Sequence, residues 1–136
     1  MRPNTSYKIT PSIILFITLL ILCLFPMTIS AAAVTGRYLK ASGTAIVLEL
    51  SVSSPAPSSI IVVSSCSSSN TIRSASPKPK KIDNKNGQVK WLVTNLKPGK
   101  KQFSIQLAAP LTGSVQGTIR YRDPAGGQFI EHRIAH

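Results

Sequence analysis

The chain has 136 residues, of which 16 are basic, 4 acidic and 2 histidine, with 2 cysteines and a formal net charge of +12. That length suffices for one domain, and so few cysteines, histidines and acids exclude a disulfide framework, a recognisable zinc spacing and a carboxylate-rich cation cage. The charge favours solubility and adsorption to anionic polymers or surfaces.

Residues 1–8 carry Arg2 and Lys8, and residues 13–25 are apolar except for Thr18. Pro26 breaks that run, and Ser30-Ala31-Ala32-Ala33 follows with small residues. A positive start, an apolar core and an A-x-A-like site form the pattern of a secretory signal peptide. The expectation is a signal-peptide helix over residues 1–33, removed on export, and one domain over 34–136. An uncleaved membrane anchor is the alternative, since no charge falls between Lys8 and Arg37. The proline and alanines weigh against it, because a spanning helix wants about 20 apolar residues. Cys23 sits inside the apolar core behind Leu22, where lipidation would want a small residue, and leaves with the signal. Loss of residues 1–33 removes two cations and no acid, so the remaining domain keeps a formal charge of +10.

Residues 34–40 form a short first strand or a lead-in. In residues 45–52, Ile46, Leu48, Leu50 and Val52 share one face, and Val47, Glu49 and Ser51 the other. Residues 53–57 are a loop, because Pro55 and Pro57 cannot feed a central ladder. Ile60-Ile61-Val62-Val63 is a continuous β-branched run, which fits a strand covered on both faces or one at a sandwich centre. Residues 64–70 are a serine-rich loop containing Cys66, residues 71–76 are extended, and Pro77-Lys78-Pro79-Lys80-Lys81 is stiff and basic. Asp83-Asn84-Lys85-Asn86-Gly87 is a turn signal.

Residues 89–107 organise the rest. Val89, Trp91 and Val93 alternate with Lys90 and Thr94; Asn95-Leu96-Lys97-Pro98-Gly99-Lys100 supplies turn chemistry; Phe103, Ile105 and Leu107 alternate with Ser104 and Gln106. The reading is an antiparallel pair joined by a Pro-Gly loop, with Trp91, the only tryptophan, at the centre of the core. Residues 114–122 alternate again, with Val115, Ile119 and Tyr121 opposed to Arg120 and Arg122. Residues 128–134 are the last strand. About seven strands with a turn signal every 8–12 positions predict an all-β, Ig-like antiparallel β-sandwich.

The order of features over residues 45–122 resembles bacterial surface-protein modules: the conserved repeat of prokaryotic envelope proteins and the cell-adhesion-related domain of bacteria. The residues that carry the resemblance are Glu49-Leu50-Ser51-Val52-Ser53-Ser54-Pro55-Ala56-Pro57, the Ile60–Val63 run, Ala75-Ser76-Pro77, and Val89-Lys90-Trp91-Leu92 followed by Leu96-Lys97-Pro98-Gly99. Leu-x-Pro-Gly before a strand also occurs in fibronectin type III domains, which typically place an aromatic where this chain has Gln102. The surface repeat has a Leu-Pro-x-Gly turn where this chain has Ser64-Ser65-Cys66-Ser67. The resemblance implies an Ig-like fold in envelope or adhesion contexts, with no catalytic residue and no cofactor.

No catalytic motif is present. The serines lack a Gly-x-Ser-x-Gly elbow, the histidines are His132 and the terminal His136, and Gly126-Gly127 lacks the lysine and helix of a phosphate loop. Glu49, in an apolar strand, reads as a solvent-facing position or as the buried acid of a Lys–Asn cross-link. Cys66, left alone once Cys23 is removed, is the candidate for an intermolecular disulfide. Lys78, Lys80, Lys81, Lys85, Lys97, Lys100 and Lys101 are the candidate polyanion contacts. They are read as two loop clusters at opposite ends of the organising pair, without the aromatics that single-stranded nucleic acid would want. The expected function is that of an exported, non-enzymatic interaction or structural module in the periplasm, at the cell surface or outside the cell, with a protein or envelope polymer as partner. The alternatives are a binder of anionic polymers through the lysines and, last, a small secreted hydrolase.

Overall fold

In a computed structural model, which describes residues 33–67 and 69–136, the period-two pattern builds nine strands. They are β1 (Val34–Ser42), β2 (Ala45–Val52), β3 (Ser59–Ser65), β4 (Ile72–Ser76), β5 (Lys81–Asp83), β6 (Gln88–Thr94), β7 (Gly99–Leu107), β8 (Gln116–Arg122) and β9 (Phe129–Arg133). No helix occurs among the described residues, and the expected signal peptide falls on residues 1–33, of which 1–32 lie outside them.

The strands form a four-stranded sheet in the order β1-β2-β7-β4 and a five-stranded sheet in the order β5-β6-β3-β8-β9. Every pairing within them is antiparallel. Val34, Ile46, Leu48, Leu50, Phe103, Ile105 and Leu107 from the first sheet meet Ile60, Val62, Val89, Trp91, Ile119 and Tyr121 from the second in one buried cluster. The alternating faces of each sheet are apolar, so stacking them is the only way to remove both from water. The result is a β-sandwich.

The organising pair is not a hairpin. β6 pairs with β3 and β5, whereas β7 pairs with β2 and β4. The Asn95–Gly99 segment therefore arches from one sheet to the other. Leu96, buried in its middle, caps the end of the core, and the left-handed turns at Asn95 (φ 55) and Gly99 (φ 127) redirect the chain. Lys100 and Lys101, read as loop residues, begin β7. The expected strand count of about seven is also low: β5 has three residues and leaves no apolar pattern, since backbone pairing with β6 holds it.

Hydrogen bonds on two sides of the sandwich also tie the layers together. On one side Pro77-Lys78-Pro79-Lys80 carries the chain from β4 to β5. The Trp91 indole Nε1 donates to the Pro77 carbonyl at 2.8 Å, and Lys80 N donates to the Lys90 carbonyl at 2.8 Å. On the other side Tyr38 N donates to the Ala135 carbonyl at 2.8 Å and Ala135 N to the Gly36 carbonyl at 3.0 Å, so the C-terminal segment covers part of the β1 edge. Gly36 permits this approach: a Cβ there would lie 2.7 Å from Ile119 Cδ1.

Candidate interaction surface

Sheet register decides which side chains share a surface. On the outward face of the five-stranded sheet, Leu92 lies opposite Ile61, which lies opposite Arg120, which lies opposite Glu131. The neighbouring row runs Lys81, Lys90, Val63, Thr118, Arg133, and at the other flank Arg122 faces Phe129. An open sheet face normally alternates to polar residues. Here Leu92 is 50% and Phe129 74% exposed, with Ile61 and Val63 half-buried between them. The Arg122 guanidinium stacks 4.7 Å from the Phe129 ring centroid, and Arg120 Nε holds Glu131 Oε2 at 2.9 Å. Ser59, Ile61, Leu92, Arg120, Arg122 and Phe129 line a shallow groove of about 320 Å³ on this face. Five cations meet only two carboxylates here. One of these, Asp83, is already engaged by Asn86 and by Lys81 at 3.6 Å, and those hydrogen bonds and charges hold its carboxyl below the ordinary aspartate range.

The sequence singled out the lysines, and the structure divides them. Lys78, Lys80, Lys81 and Lys85 are exposed along the crossing, the β5 edge and the β5–β6 turn, and Lys81 joins Lys90 on the outward face. Lys97 is exposed in the arch. Lys100 lies on the other sheet, where its Nζ is 3.4 Å from Glu49 Oε1, and Lys101 is half-buried at the start of β7. The two groups thus belong to different sheets, not to opposite ends of one strand pair. Sequence reading placed Arg120 and Arg122 opposite the core face; what it missed is that Leu92, Ile61 and Phe129 share that outward face with them. The signal was apolar residues at both parities of the Ile60–Val63 run and in Trp91-Leu92.

Glu49 has outward parity but is only 7% exposed. Arg37 opposite it donates Nε and Nη2 to Oε1 at 3.2 and 2.9 Å, and these bonds, with Lys100, hold its carboxyl below the ordinary glutamate range despite the cost of burial. It lies between two cations on the outer side of the sheet, away from the core position that cross-link catalysis needs.

Cys66 is buried at 8% exposure, and its Sγ donates to the Gly87 carbonyl at 3.3 Å. Burial pushes the thiol above its ordinary range. Tyr38, Ser64 and His136 are held in structural contacts, whereas Tyr121 Oη and His132 Nε2 are buried without a hydrogen-bond partner among the described residues. Tyr38 Oη and Ser64 Oγ share a hydrogen bond at 2.9 Å, His136 stacks on Tyr38, and His136 Nε2 lies 2.7 Å from the Val115 carbonyl. His132 packs against Tyr121, ring centroids 6.0 Å apart. Among the described residues no group of three or more His, Cys, Asp or Glu is gathered closely enough to hold a metal ion.

No protein-family model, curated protein or solved structure matches this chain.

Proposed function

We propose that the chain is an exported, non-enzymatic β-sandwich that acts as an interaction or structural module of the cell envelope. The observation that carries this reading is the outward face of the five-stranded sheet, which displays Leu92 and Phe129 among Lys81, Lys90, Arg120, Arg122 and Arg133. Exposed apolar side chains rimmed by polar ones are the usual mark of a contact surface. Export rests on the N-terminal pattern of charge, apolar core and small residues. An Ig-like arrangement is supported by the sheet orders: β1-β2-β7-β4 reads as A-B-E-D and β3-β8-β9 as C-F-G. The departure is that β4 precedes β5 and β6, which extend the second sheet beyond β3. The likeness to bacterial surface modules agrees with this reading.

The test is fractionation of producing cells, followed by cosedimentation of the purified protein with isolated envelope. The expected result is a processed species beginning near Val34 that cosediments with the envelope. A full-length cytosolic protein that stays in the supernatant would end the proposal.

A second reading, polyanion binding, is favoured by the exposure of Lys78, Lys80, Lys81 and Lys85 on one stretch of chain. It predicts retention on heparin that falls steeply with salt.

A further inference from the structure

We infer that the outward face of the five-stranded sheet docks an acidic protein surface, one whose carboxylates border an apolar centre. This rests on the interaction-module reading and names the partner chemistry of that module. Leu92 and Ile61 are direct cross-strand partners, so their side chains form one apolar step on two hydrogen-bonded strands. Arg120 stands directly across from Ile61, and Lys90 across from Val63 one row away. A group seated on the Leu92–Ile61 step therefore has Lys90 on one side and the Arg120 guanidinium, paired with Glu131 at 2.9 Å, on the other. Phe129 and Arg122 extend the surface, with the guanidinium already held over the ring. No carboxylate among the described residues lies within ion-pair distance of Arg122, Lys90 or Arg133. Their charge is left for a partner.

The mixture of side chains selects among occupants. A second copy of this chain, packed face to face, would oppose arginines and lysines to one another, and like charges at an interface are costly. A polyanion would use the cations but gains nothing from burying Leu92 or Phe129. A lipid surface would favour apolar residues that protrude from a loop, whereas Leu92 and Ile61 lie in the middle strands of a sheet. A protein face with an apolar centre and a carboxylate rim satisfies both halves, since buried apolar anchors supply affinity and complementary rim charges supply orientation.

The experiment titrates isotope-labelled protein with four probes: an amphipathic peptide bearing a leucine stripe bordered by glutamates, polyglutamate, heparin, and phosphatidylglycerol vesicles. Binding of the peptide should shift backbone resonances around Ile61, Leu92, Arg120 and Phe129. Leu92→Ser with Phe129→Ser, and separately Arg120→Gln with Arg122→Gln, should each weaken it about tenfold or more, as loss of interface anchors does. Unchanged urea midpoints would show that these exposed substitutions leave folding intact. Absence of peptide binding, equal binding of polyglutamate, or binding indifferent to Leu92→Ser overturns the inference. Shifts centred on residues 77–85 with heparin alone would assign the charge to a polyanion. Vesicle binding lost with Leu92→Ser, without peptide binding, would assign the face to lipid. If envelope association holds while the Leu92/Phe129 variant retains it fully, the face is refuted and the module reading stands. If peptide binding holds but the protein is not exported, the face stands and the location falls.

Discussion

Trp91 of the five-stranded sheet meets Phe103 of the four-stranded sheet edge to face, with ring centroids 5.3 Å apart and planes at 67°. Both rings are buried, at 1% and 2% exposure, so this contact joins the layers at the centre of the core. The indole also donates to Pro77 across the sandwich edge. Trp91→Ala should therefore cost about 3–5 kcal/mol, as emptying a core aromatic site does. Trp91→Phe keeps much of the packing but strands the Pro77 carbonyl, and should cost roughly 1–3 kcal/mol, including the lost hydrogen bond. Urea unfolding monitored by far-UV dichroism measures both, and near-equal losses would show that the hydrogen bond, not the ring volume, matters.

Glu49 links stability to acid. Its folded-state carboxyl titrates below the ordinary glutamate range because Arg37, then Lys100, favour the charged form. The contribution is present above the unfolded glutamate value and is lost as pH falls through the lowered folded value. Asp83, held low by Asn86, adds a loss of the same sign. The urea midpoint of the native sequence should therefore fall more steeply than that of Glu49→Gln between about pH 6 and about pH 3. Parallel curves would mean that the Arg37 pair is energetically silent, as many surface pairs are.

Tyr38 links stability to base. Burial raises its phenol from the ordinary 10.0 to about 12, against the smaller opposing effect of the Ser64 hydrogen bond. The folded state thus keeps its proton where the unfolded chain has lost it. Stability is full below about pH 10 and declines as pH rises toward 12. Phenolate absorbance should show a late-titrating tyrosine that disappears in Tyr38→Phe, and that variant should lose less stability over the same interval.

Cys66 should behave as an interior thiol. Its Sγ is bonded to the Gly87 carbonyl, and burial disfavours the thiolate that exchange requires. Reaction with an aromatic disulfide reagent should be slow in the native protein and fast in denaturant, and non-reducing electrophoresis should show monomer. Rapid native reaction or a dimer band would show that this strand end opens readily. Gly87→Ala provides the structural control: its φ is +59 and a Cβ would lie 2.5 Å from the Cys66 carbonyl oxygen. The substitution should cost more than about 1 kcal/mol and speed the thiol reaction.

The sequence revealed the strands more readily than their partners. Ile46, Leu48, Leu50 and Val52 alternate cleanly, and their burial follows that pattern. For β6 and β7 the same period appears whether the two strands pair or face each other across a core. Only the loop distinguishes the cases: a buried Leu96 suits an arch that caps the sandwich, whereas a hairpin tip would expose it. β5 was illegible because one apolar residue, Ile82, between Lys81 and Asp83 is too short a stretch to show a period, and backbone pairing with β6 holds it. The candidate surface was half legible. Lysines announce themselves by type, but Leu92, Ile61 and Phe129 look like core residues until register places them outward.

The basic crossing gives the sharpest separation between charge and fold. Lys78, Lys80, Lys81 and Lys85 are exposed, and among the described residues the only ion pair they make is Lys81 with Asp83 at 3.6 Å. What holds this stretch is backbone chemistry: Pro77 accepts from Trp91, and Lys80 N donates to Lys90. The prolines also keep the edge from recruiting another strand. Substituting glutamine at all four positions preserves every one of these backbone contacts. Because exposed ion pairs are worth at most about 1 kcal/mol, the urea midpoint should barely move. Retention on heparin should weaken, and its salt dependence should flatten, if these cations meet a polyanion. Unchanged retention would leave the four lysines as solubilising charge and shift attention to the arginines of the outward face. A large drop in stability would require buried contacts from side chains that stand in water, and would contradict the way the crossing joins β4 to β5.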